Sequence, residues 1–288
     1  MTLAIKITGF LFTAVAIYVS YCVRSNFDSD ALRGKSVVIT GASSGIGEEL
    51  AYHFARLGSR ILITARRENL LQQVAEKCRS LGAQEVHFVS FDMAKYNETH
   101  VVTAEIKKKL GDLDFLILNH ALYYWKRWDG DLSRLVDVMN INFMSFVAMT
   151  TDLLPLLQNS NGSVTAVSSV LGNIGLPYVG HYSASKHAIH GFFRSLRHEL
   201  VLSSIDVSVT VCVLGGVSTE HVIAATKGIL HPAFFSHSPS AAAEFIVRSA
   251  ATRRTDVYYP WFDVTFFTEV LDGYFPGLVR WFHNPSNM

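Results

Sequence analysis

Apolar residues occur along the chain in short continuous runs that alternate with longer amphipathic stretches. The run at residues 37–39 is followed by an amphipathic stretch at residues 49–55, and a second run occupies residues 60–64. Short runs are typical of strands buried on both faces, whereas the stretches between them have the periodicity of surface helices. Further runs lie at residues 86–90 and 115–118. The alternation predicts one doubly wound α/β domain with a central parallel sheet of about seven strands.

Between the first predicted strand and helix, residues 40–47 are Thr-Gly-Ala-Ser-Ser-Gly-Ile-Gly. A glycine-rich turn in this place lets the backbone approach a pyrophosphate, and the N–H groups at the start of the helix point at the phosphate oxygens. The motif also occurs in ordinary loops, but here a strand–helix–strand unit is complete within about 30 residues, as a Rossmann-type fold requires. We therefore predict a dinucleotide site whose phosphate contacts are Gly41, Ser43, Ser44, Gly45, Ile46 and Gly47.

The end of the second predicted strand indicates which dinucleotide binds. A dehydrogenase that prefers NAD usually has an acidic residue there, which binds the ribose 2′-hydroxyl. This chain has Arg66 and Arg67, and residues 64–67 contain no carboxylate. Because a guanidinium group suits a phosphate, the sequence predicts NADP(H), with Arg66 as the preferred contact to the 2′-phosphate. Arg67 is either a second contact or a solvated residue of the next helix.

Tyr182 and Lys186 are four residues apart in a segment with helical character, which places both side chains on one helix face. An ammonium group beside a phenol favours the phenolate, so the pair forms an acid/base group that can work near neutral pH. The same spacing is also found where a lysine stem merely covers a tyrosine ring. The neighbouring motifs favour the catalytic interpretation.

Together, the motifs within about residues 35–257 resemble the short-chain dehydrogenases/reductases. Ser169 lies thirteen residues before Tyr182, which is the family's spacing, and Asn142 matches a helix asparagine of its catalytic set. The resemblance implies hydride transfer between a nicotinamide and a carbonyl carbon, with Tyr182 giving or taking the proton. It also implies that Ser169 holds the carbonyl oxygen of the substrate and that Lys186 bonds the nicotinamide ribose and lowers the proton affinity of the phenol. Asn142 would hold a water molecule that connects Lys186 to solvent.

The resemblance further implies cofactor contacts after the later strands. Asp92 follows the third strand where the family contacts adenine, Asn119 stands where the family has Asn-Ala-Gly, and Thr219 follows the sixth strand at the nicotinamide carboxamide. The residues implied in this way are Asp92, Met93, Asn119, His120, Ala121, Tyr182, Lys186, Val217, Ser218 and Thr219.

Several segments resemble a hydroxysteroid dehydrogenase branch of this family, among them residues 160–163, 182–188 and 212–215. This resemblance implies an apolar, steroid-like substrate whose hydroxyl and ketone forms are interconverted. Two positions depart from the branch, since Ser44 replaces a basic residue and Leu176 stands where an aromatic residue is usual. Substrate identity and the strictness of cofactor selectivity therefore stay open. The alternative hypothesis is a nucleotide-bound membrane scaffold with little or no turnover, against which the intact catalytic set argues.

Composition and charge argue against several classes of protein. A net charge of +1 and the lack of a long basic run argue against a nucleic-acid partner. The 12 histidines are scattered without the Cys/His spacing of a zinc site, so we expect no metal. The 3 cysteines are too few for a disulfide framework. Hydrophobic residues make up 49% of the chain and charged residues 17%, which leaves apolar surface beyond one large core.

Residues 1–25 are predicted to be a signal-anchor or a signal peptide. Residues 3–23 are almost entirely apolar, and as a helix they are long enough to span a hydrocarbon core of about 30 Å. We favour an uncleaved anchor, while the small residues at 14–16 form an acceptable cleavage site that would give a secreted protein. The sequons at Asn97 and Asn161 permit glycosylation and favour an endoplasmic reticulum membrane protein with a lumenal catalytic domain, although Asn161 also fits a simple turn.

The predicted dehydrogenase domain covers residues 33–260 and is followed by an aromatic extension at residues 261–288. Three alternatives are predicted for this extension. It packs in the core of the domain, or it contacts the partner subunit of a homodimer near the substrate entrance, or it inserts into a membrane interface. Residues 219–238 form a predicted substrate lid, because an insertion of this length in a compact domain is more often functional than idle. His181 is either a packed histidine or shapes the substrate entrance.

Overall fold

A parallel sheet of seven strands lies at the centre of the protein in a computed structural model that describes residues 27–226 and 237–260. The strands are β1 (Ser36–Thr40), β2 (Arg60–Ala65), β3 (Glu85–Ser90), β4 (Phe115–Leu118), β5 (Ser163–Ser169), β6 (Ser208–Leu214) and β7 (Asp256–Tyr259). Their order is β3-β2-β1-β4-β5-β6-β7, and every neighbouring pair is parallel. The predicted doubly wound fold is confirmed, with its switch point between β1 and β4.

Helices cover both faces of the sheet. They are α1 (Gly45–Arg56), α2 (Glu68–Leu81), α3 (Thr99–Leu110), α4 (Leu132–Met139), α5 (Ser145–Ser160), α6 (Gly180–Leu202), α7 (Glu220–Thr226) and α8 (Pro239–Ala251). A π-helical turn, Asn140–Met144, joins α4 to α5. Short 3-10 turns lie at Asp30–Leu32, Tyr96–Glu98 and Val170–Gly172.

Successive residues of a strand point to opposite faces of the sheet, and each face has its own apolar core. Val37 and Ile39 of β1 pack with Phe54 of α1 and with residues of α2 and α8, whereas Val38 packs on the opposite face with residues of α3, α5 and α6. Both faces of the strand are therefore buried, which explains why its sequence is continuously apolar instead of alternating. Removing a side chain the size of Phe54 from water contributes about 1.5–3 kcal/mol to folding.

Several predictions concern residues that the structure does not describe. The signal-anchor or signal peptide at residues 1–25 and the aromatic extension at residues 261–288 lie outside the described residues, as does the middle of the predicted lid, residues 227–236. The first part of that lid forms α7. Within residues 27–226 and 237–260, no helix combines the length and the apolar character needed to cross a membrane.

The two sequons differ in local structure. Asn97 is exposed in the 3-10 turn before α3. Asn161 ends α5 in the left-handed conformation, with φ of 51°, which agrees with its interpretation as a turn residue. Glycosylation at either position stays a prediction.

Asp114 connects β1 and β4 at the edge of the sheet where the strands begin. Its carboxylate accepts hydrogen bonds from Ser36 N at 2.9 Å, from Ser36 Oγ at 3.0 Å and from Lys35 Nζ at 2.8 Å. The residue is only 9% exposed. Ser36 is fully buried, so its N–H and hydroxyl groups are left without this acceptor when the carboxylate is removed, whereas Lys35 is exposed to solvent.

We expect Asp114→Ala to lower the free energy of unfolding by about 2 kcal/mol, since a hydrogen bond to a charged group contributes that much. Asp112→Ala is the matched control, because its carboxylate binds Arg60 Nη1 while 58% exposed to solvent. An exposed ion pair contributes less than about 1 kcal/mol. Urea unfolding of both variants measures the difference, and equal losses would contradict the role of Asp114.

Candidate active site

A cleft of about 470 Å³ lies at the carboxyl ends of β1, β2 and β4, on the switch point of the sheet. Its lining contains most residues that the sequence assigned to the cofactor: Gly41, Ser43, Ser44, Gly45, Ile46, Arg66, Arg67, Asp92, Met93, Asn119, His120, Ala121, Ser218 and Thr219. The structure adds residues that the sequence analysis did not name, among them Glu48, Phe91, Leu122, Tyr123, Ile141 and Glu220.

The glycine-rich turn lies so close to β4 that side chains would not fit. A Cβ atom on Gly41, whose φ is +68°, would come within 2.6 Å of His120 Cα. A Cβ atom on Gly47 would come within 2.3 Å of the Gly41 carbonyl oxygen. Asn119 Nδ2 donates to the Thr40 carbonyl oxygen at 3.2 Å and so ties the turn to the end of β4. Glycine is required at both positions by close approach.

The start of α1 offers free backbone donors to the cleft. Its N-cap residue, Ser44, is in an extended conformation, and no side chain of the described residues caps the helix. The Ser44 hydroxyl instead accepts a hydrogen bond from Arg67 Nη2 at 2.8 Å. The N–H groups of the first helical turn thus remain available, and the helix dipole favours an anion beside them.

Arg67 is fixed on the glycine-rich turn. Its Nη2 also donates to Ser43 Oγ at 2.9 Å, while its neighbour Arg66 is exposed at the same edge of the cleft. Arg67 is exposed at the start of α2, and its guanidinium group lies across the turn and lines the cleft, so a contact to the 2′-phosphate stays a prediction. Both arginines place positive charge at the end of β2.

Thr40 and His120 form the buried support of this edge of the sheet. The Nε2 atom of His120 lies 2.9 Å from the carbonyl oxygen of Ile141, so Nε2 carries the proton and Nδ1 accepts. The Thr40 hydroxyl, 2.8 Å from Nδ1, therefore donates to it. Burial lowers the pKa of His120 to about 3, and the ring is neutral. Both ring nitrogens of His120 are thus engaged inside the protein.

Tyr182 and Lys186 lie on one face of α6, as the sequence predicted. The Lys186 ammonium is 5.5 Å from the centre of the Tyr182 ring. Lys186 Nζ donates to the carbonyl oxygen of Val167 at 2.9 Å, and the residue is only 2% exposed. Burial lowers the pKa of Lys186 to about 7.

The pKa of Tyr182 lies well above its ordinary value. Burial of the phenol is the main cause, the contact with Tyr123 raises the pKa further, and a hydrogen bond with Ser169 opposes both. Burial disfavours charge on both Tyr182 and Lys186, so the phenol stays protonated. That Lys186 eases the loss of the phenolic proton stays a prediction.

Asn142 lies in the π-helical turn and is fully buried. Its Oδ1 accepts from Leu122 N at 2.7 Å, and its Nδ2 donates to the Leu122 carbonyl at 3.1 Å and to Ser185 Oγ at 3.1 Å. The Ser185 hydroxyl donates to the Tyr182 carbonyl at 2.7 Å. Asn142 thus joins the loop after β4 to the first turns of α6.

Tyr123 stands between the cleft and the predicted catalytic residues. Its ring stacks on that of Tyr182, with ring centres 5.1 Å apart and ring planes at 24°. Among the described residues, the cleft lining includes Tyr123, whereas it does not include Gly47, Asn142, Ser169, Tyr182, Lys186 or Val217. The sequence analysis missed Tyr123. The signal was available, because residues 123–125 are Tyr-Tyr-Trp in the loop that follows Asn119.

His181 is a packed histidine, 2% exposed. Its ring lies edge-on to Tyr124 at 4.9 Å between ring centres and 5.3 Å from Trp128. In the described part of the chain, no group of three or more His, Cys, Asp or Glu side chains is placed to hold a metal ion.

Comparison with known proteins identifies the family. Residues 35–229 match the family described as short chain dehydrogenase. The chain belongs to the short-chain dehydrogenase family. It is 40% identical over 283 residues to the hydroxysteroid 11-beta-dehydrogenase 1-like protein of Xenopus tropicalis, with 97% of each chain covered. The protein of the same name from Danio rerio is 41% identical, with 88% of this chain and 87% of the relative covered.

Solved structures share the fold. An alcohol dehydrogenase from Thermococcus sibiricus, complexed with 5-hydroxy-NADP, has a TM-score of 0.70 at 24% identity and covers 78% of this chain and 96% of its own. The L-sorbose reductase of Gluconobacter frateurii, complexed with NADPH and L-sorbose, has a TM-score of 0.72 at 23% identity and covers 78% and 95%. A family member from Burkholderia phymatum in complex with NAD has a TM-score of 0.74 at 22% identity and covers 88% and 97%. These structures show the shared fold, while the family match and the 40% identity to a hydroxysteroid 11-beta-dehydrogenase 1-like protein make this protein an oxidoreductase of the short-chain dehydrogenase family.

We expect Gly47→Ala to destabilise the protein by about 1–3 kcal/mol or more, because the new methyl group overlaps the Gly41 carbonyl. Gly191→Ala is the matched control, since a Cβ atom on Gly191 in α6 would meet nothing within 4 Å. Alanine there should stabilise the helix by about 0.5–1 kcal/mol. Thermal and urea unfolding measure both changes, and a harmless Gly47→Ala would show that the turn does not need this close approach.

Proposed function

We propose that this protein is an NADP(H)-dependent oxidoreductase that interconverts a hydroxyl group and a ketone on an apolar, steroid-like substrate. The proposal rests chiefly on one arrangement, in which the buried pair Tyr182 and Lys186, with Ser169 beside the phenol, adjoins a glycine-rich cleft. The names of its relatives, hydroxysteroid 11-beta-dehydrogenase 1-like proteins, support the substrate class.

The cleft suits a dinucleotide phosphate. The close approach at Gly41 and Gly47 leaves room only for backbone, and the first turn of α1 has no side-chain cap within the described residues. Both features fit a pyrophosphate bound at a helix N-terminus. Arg66 and Arg67 would hold the 2′-phosphate that distinguishes NADP(H), because guanidinium groups pair with phosphate oxygens. When bound, the nicotinamide would supply or accept the hydride.

Tyr182 is the proton donor for carbonyl reduction in this proposal. Its phenol is protonated because its pKa is raised by burial and by Tyr123, so its Oη atom has a proton to give as the substrate oxygen gains charge. Ser169 would hold the same oxygen with its hydroxyl group. Lys186, whose pKa burial lowers to about 7, can change protonation near neutral pH and return a proton to the phenol side.

The surroundings of Tyr182 favour an apolar substrate. Leu171, Ile174 and Val179 form a small apolar cluster with the Tyr182 ring. Partly buried hydrophobic residues extend it, namely Ala121, Tyr123, Trp125, Val170 and Leu176. A flat hydrophobic molecule with one carbonyl group fits such a surface, since the phenol and Ser169 provide the polar contacts. A scaffold without turnover would not need a proton donor in this place.

Tyr182→Phe tests the reaction. We expect this variant to keep its affinity for NADPH and to have a kcat at least about 10²-fold lower, since a general acid contributes that factor to the rate. Oxidation of NADPH with a panel of steroid ketones measures turnover, and quenching of NADPH fluorescence measures binding. Tyr96→Phe, in the 3-10 turn before α3 and outside the cleft lining, is the control. Unchanged turnover in Tyr182→Phe would remove this residue from its role, and a wild-type protein inactive on the whole panel would favour the scaffold.

The arginines are tested by cofactor preference. The double variant Arg66→Ala/Arg67→Ala should weaken NADPH binding by roughly 1.5–3 kcal/mol, as expected for charged hydrogen bonds, and leave NADH binding nearly unchanged. Dissociation constants for both cofactors, measured on the same preparation, provide an internal control. An equal loss for NADPH and NADH would mean that the arginines only support the turn.

A further inference from the structure

Tyr123 covers the phenol that the proposed reaction requires. Its ring lies nearly parallel to that of Tyr182, with ring centres 5.1 Å apart and ring planes at 24°. Tyr182 is only 4% exposed, whereas Tyr123 is half-buried and lines the cleft. Access from the cleft to Tyr182 is thus limited by the ring of Tyr123.

The backbone around Tyr123 is held on both sides. Leu122 is bound through its N–H and its carbonyl group to the Asn142 side chain, at 2.7 and 3.1 Å. Lys126 N donates to the Tyr178 carbonyl oxygen at 2.8 Å. Between these bonds, residues 123–125 have no regular secondary structure. Uncovering Tyr182 therefore requires rotation of the Tyr123 side chain and no displacement of the loop.

The position of Tyr123 coincides with the place of a substrate. A carbonyl oxygen that receives the proton of Tyr182 must lie within about 2.6–3.2 Å of its hydroxyl oxygen. The ring of Tyr123 already stacks on the ring of Tyr182 and packs against the apolar cluster beside it. A ketone and the Tyr123 ring cannot both be there.

We propose that Tyr123 is a specificity-determining residue, a gate that a substrate must displace from Tyr182. This inference rests on the proposed function, because it takes Tyr182 as the proton donor. A substrate with an extended, flat apolar body replaces the ring contact that is lost when Tyr123 turns away. A small ketone offers no such contact, so it binds only to the minority of molecules in which the gate is open.

Tyr123→Leu and Tyr123→Phe separate the ring from the hydroxyl group. Tyr123→Leu keeps apolar bulk in the core but removes the aromatic cover, while Tyr123→Phe keeps the cover. Hydroxyl-radical labelling of the full-length protein, analysed by mass spectrometry, measures exposure of Tyr182 without any turnover. We expect labelling of Tyr182 to rise about tenfold in Tyr123→Leu if the covered state outweighs the open one about tenfold, and to change little in Tyr123→Phe. Tyr96 provides the reference label in each protein.

Kinetics with NADPH provide a second measurement. With cyclohexanone as the small ketone, Tyr123→Leu should lower KM about tenfold and leave kcat nearly unchanged, because the open fraction limits apparent affinity. A steroid ketone should gain less, and the preference for the large substrate should fall. Tyr123→Phe should keep the wild-type preference.

The outcomes distinguish this inference from the proposed function. If wild-type protein reduces ketones but Tyr123→Leu changes neither the labelling of Tyr182 nor the KM for cyclohexanone, the gate is refuted and the proposed function stands. If wild-type protein reduces no ketone, the proposed function fails. In that case, unchanged labelling of Tyr182 in Tyr123→Leu would also refute the covering of Tyr182 by Tyr123, while increased labelling would support it.

Discussion

The hydroxyl group of Thr40 holds together the strand ends on which the cleft is built. It accepts the N–H of Asn119 at 2.9 Å and donates to His120, which in turn binds the π-helical turn through Ile141. Breaking a buried hydrogen bond leaves an unsatisfied group, which costs about 1–3 kcal/mol. The ends of β1 and β4 and the start of α5 therefore keep one relative position. Both the glycine-rich turn and the Asn142 contacts depend on that position.

Burial outweighs charge pairing around Tyr182. An ammonium group beside a phenol favours the phenolate, and Lys186 Nζ lies 5.5 Å from the centre of the Tyr182 ring. Complete burial of an ionisable group can raise such a pKa by about 3–5 units. Lys186 is moreover only partly charged near neutral pH, since burial lowers its own pKa to about 7. The sequence spacing places the two groups together but carries no information about how dry their surroundings are.

The sequence predicted the sheet well because parallel strands buried on both faces leave continuous apolar runs. Residues 115–118 were assigned with the bounds that β4 has in the structure. The need for glycine at Gly41 and Gly47 follows from the close approach of the backbone, which the glycine-rich motif indicates in the sequence. The directions of the side chains in the loops could not be predicted from the sequence. Arg67 bends back onto Ser43 and Ser44, and Tyr123 covers Tyr182, because loop rotamers depend on neighbours that are distant in the sequence.

The loop after β4 has a backbone that is held at both ends by hydrogen bonds. The Asn142 amide and the Tyr178 carbonyl hold its backbone at Leu122 and Lys126, while three consecutive aromatic residues lie between those points. None of these aromatic side chains carries the bonds that orient α6, which come from Asn142 and Ser185. In evolutionary terms, positions 123–125 can change their side chains without altering the backbone path of this loop, which the bonds at Leu122 and Lys126 define.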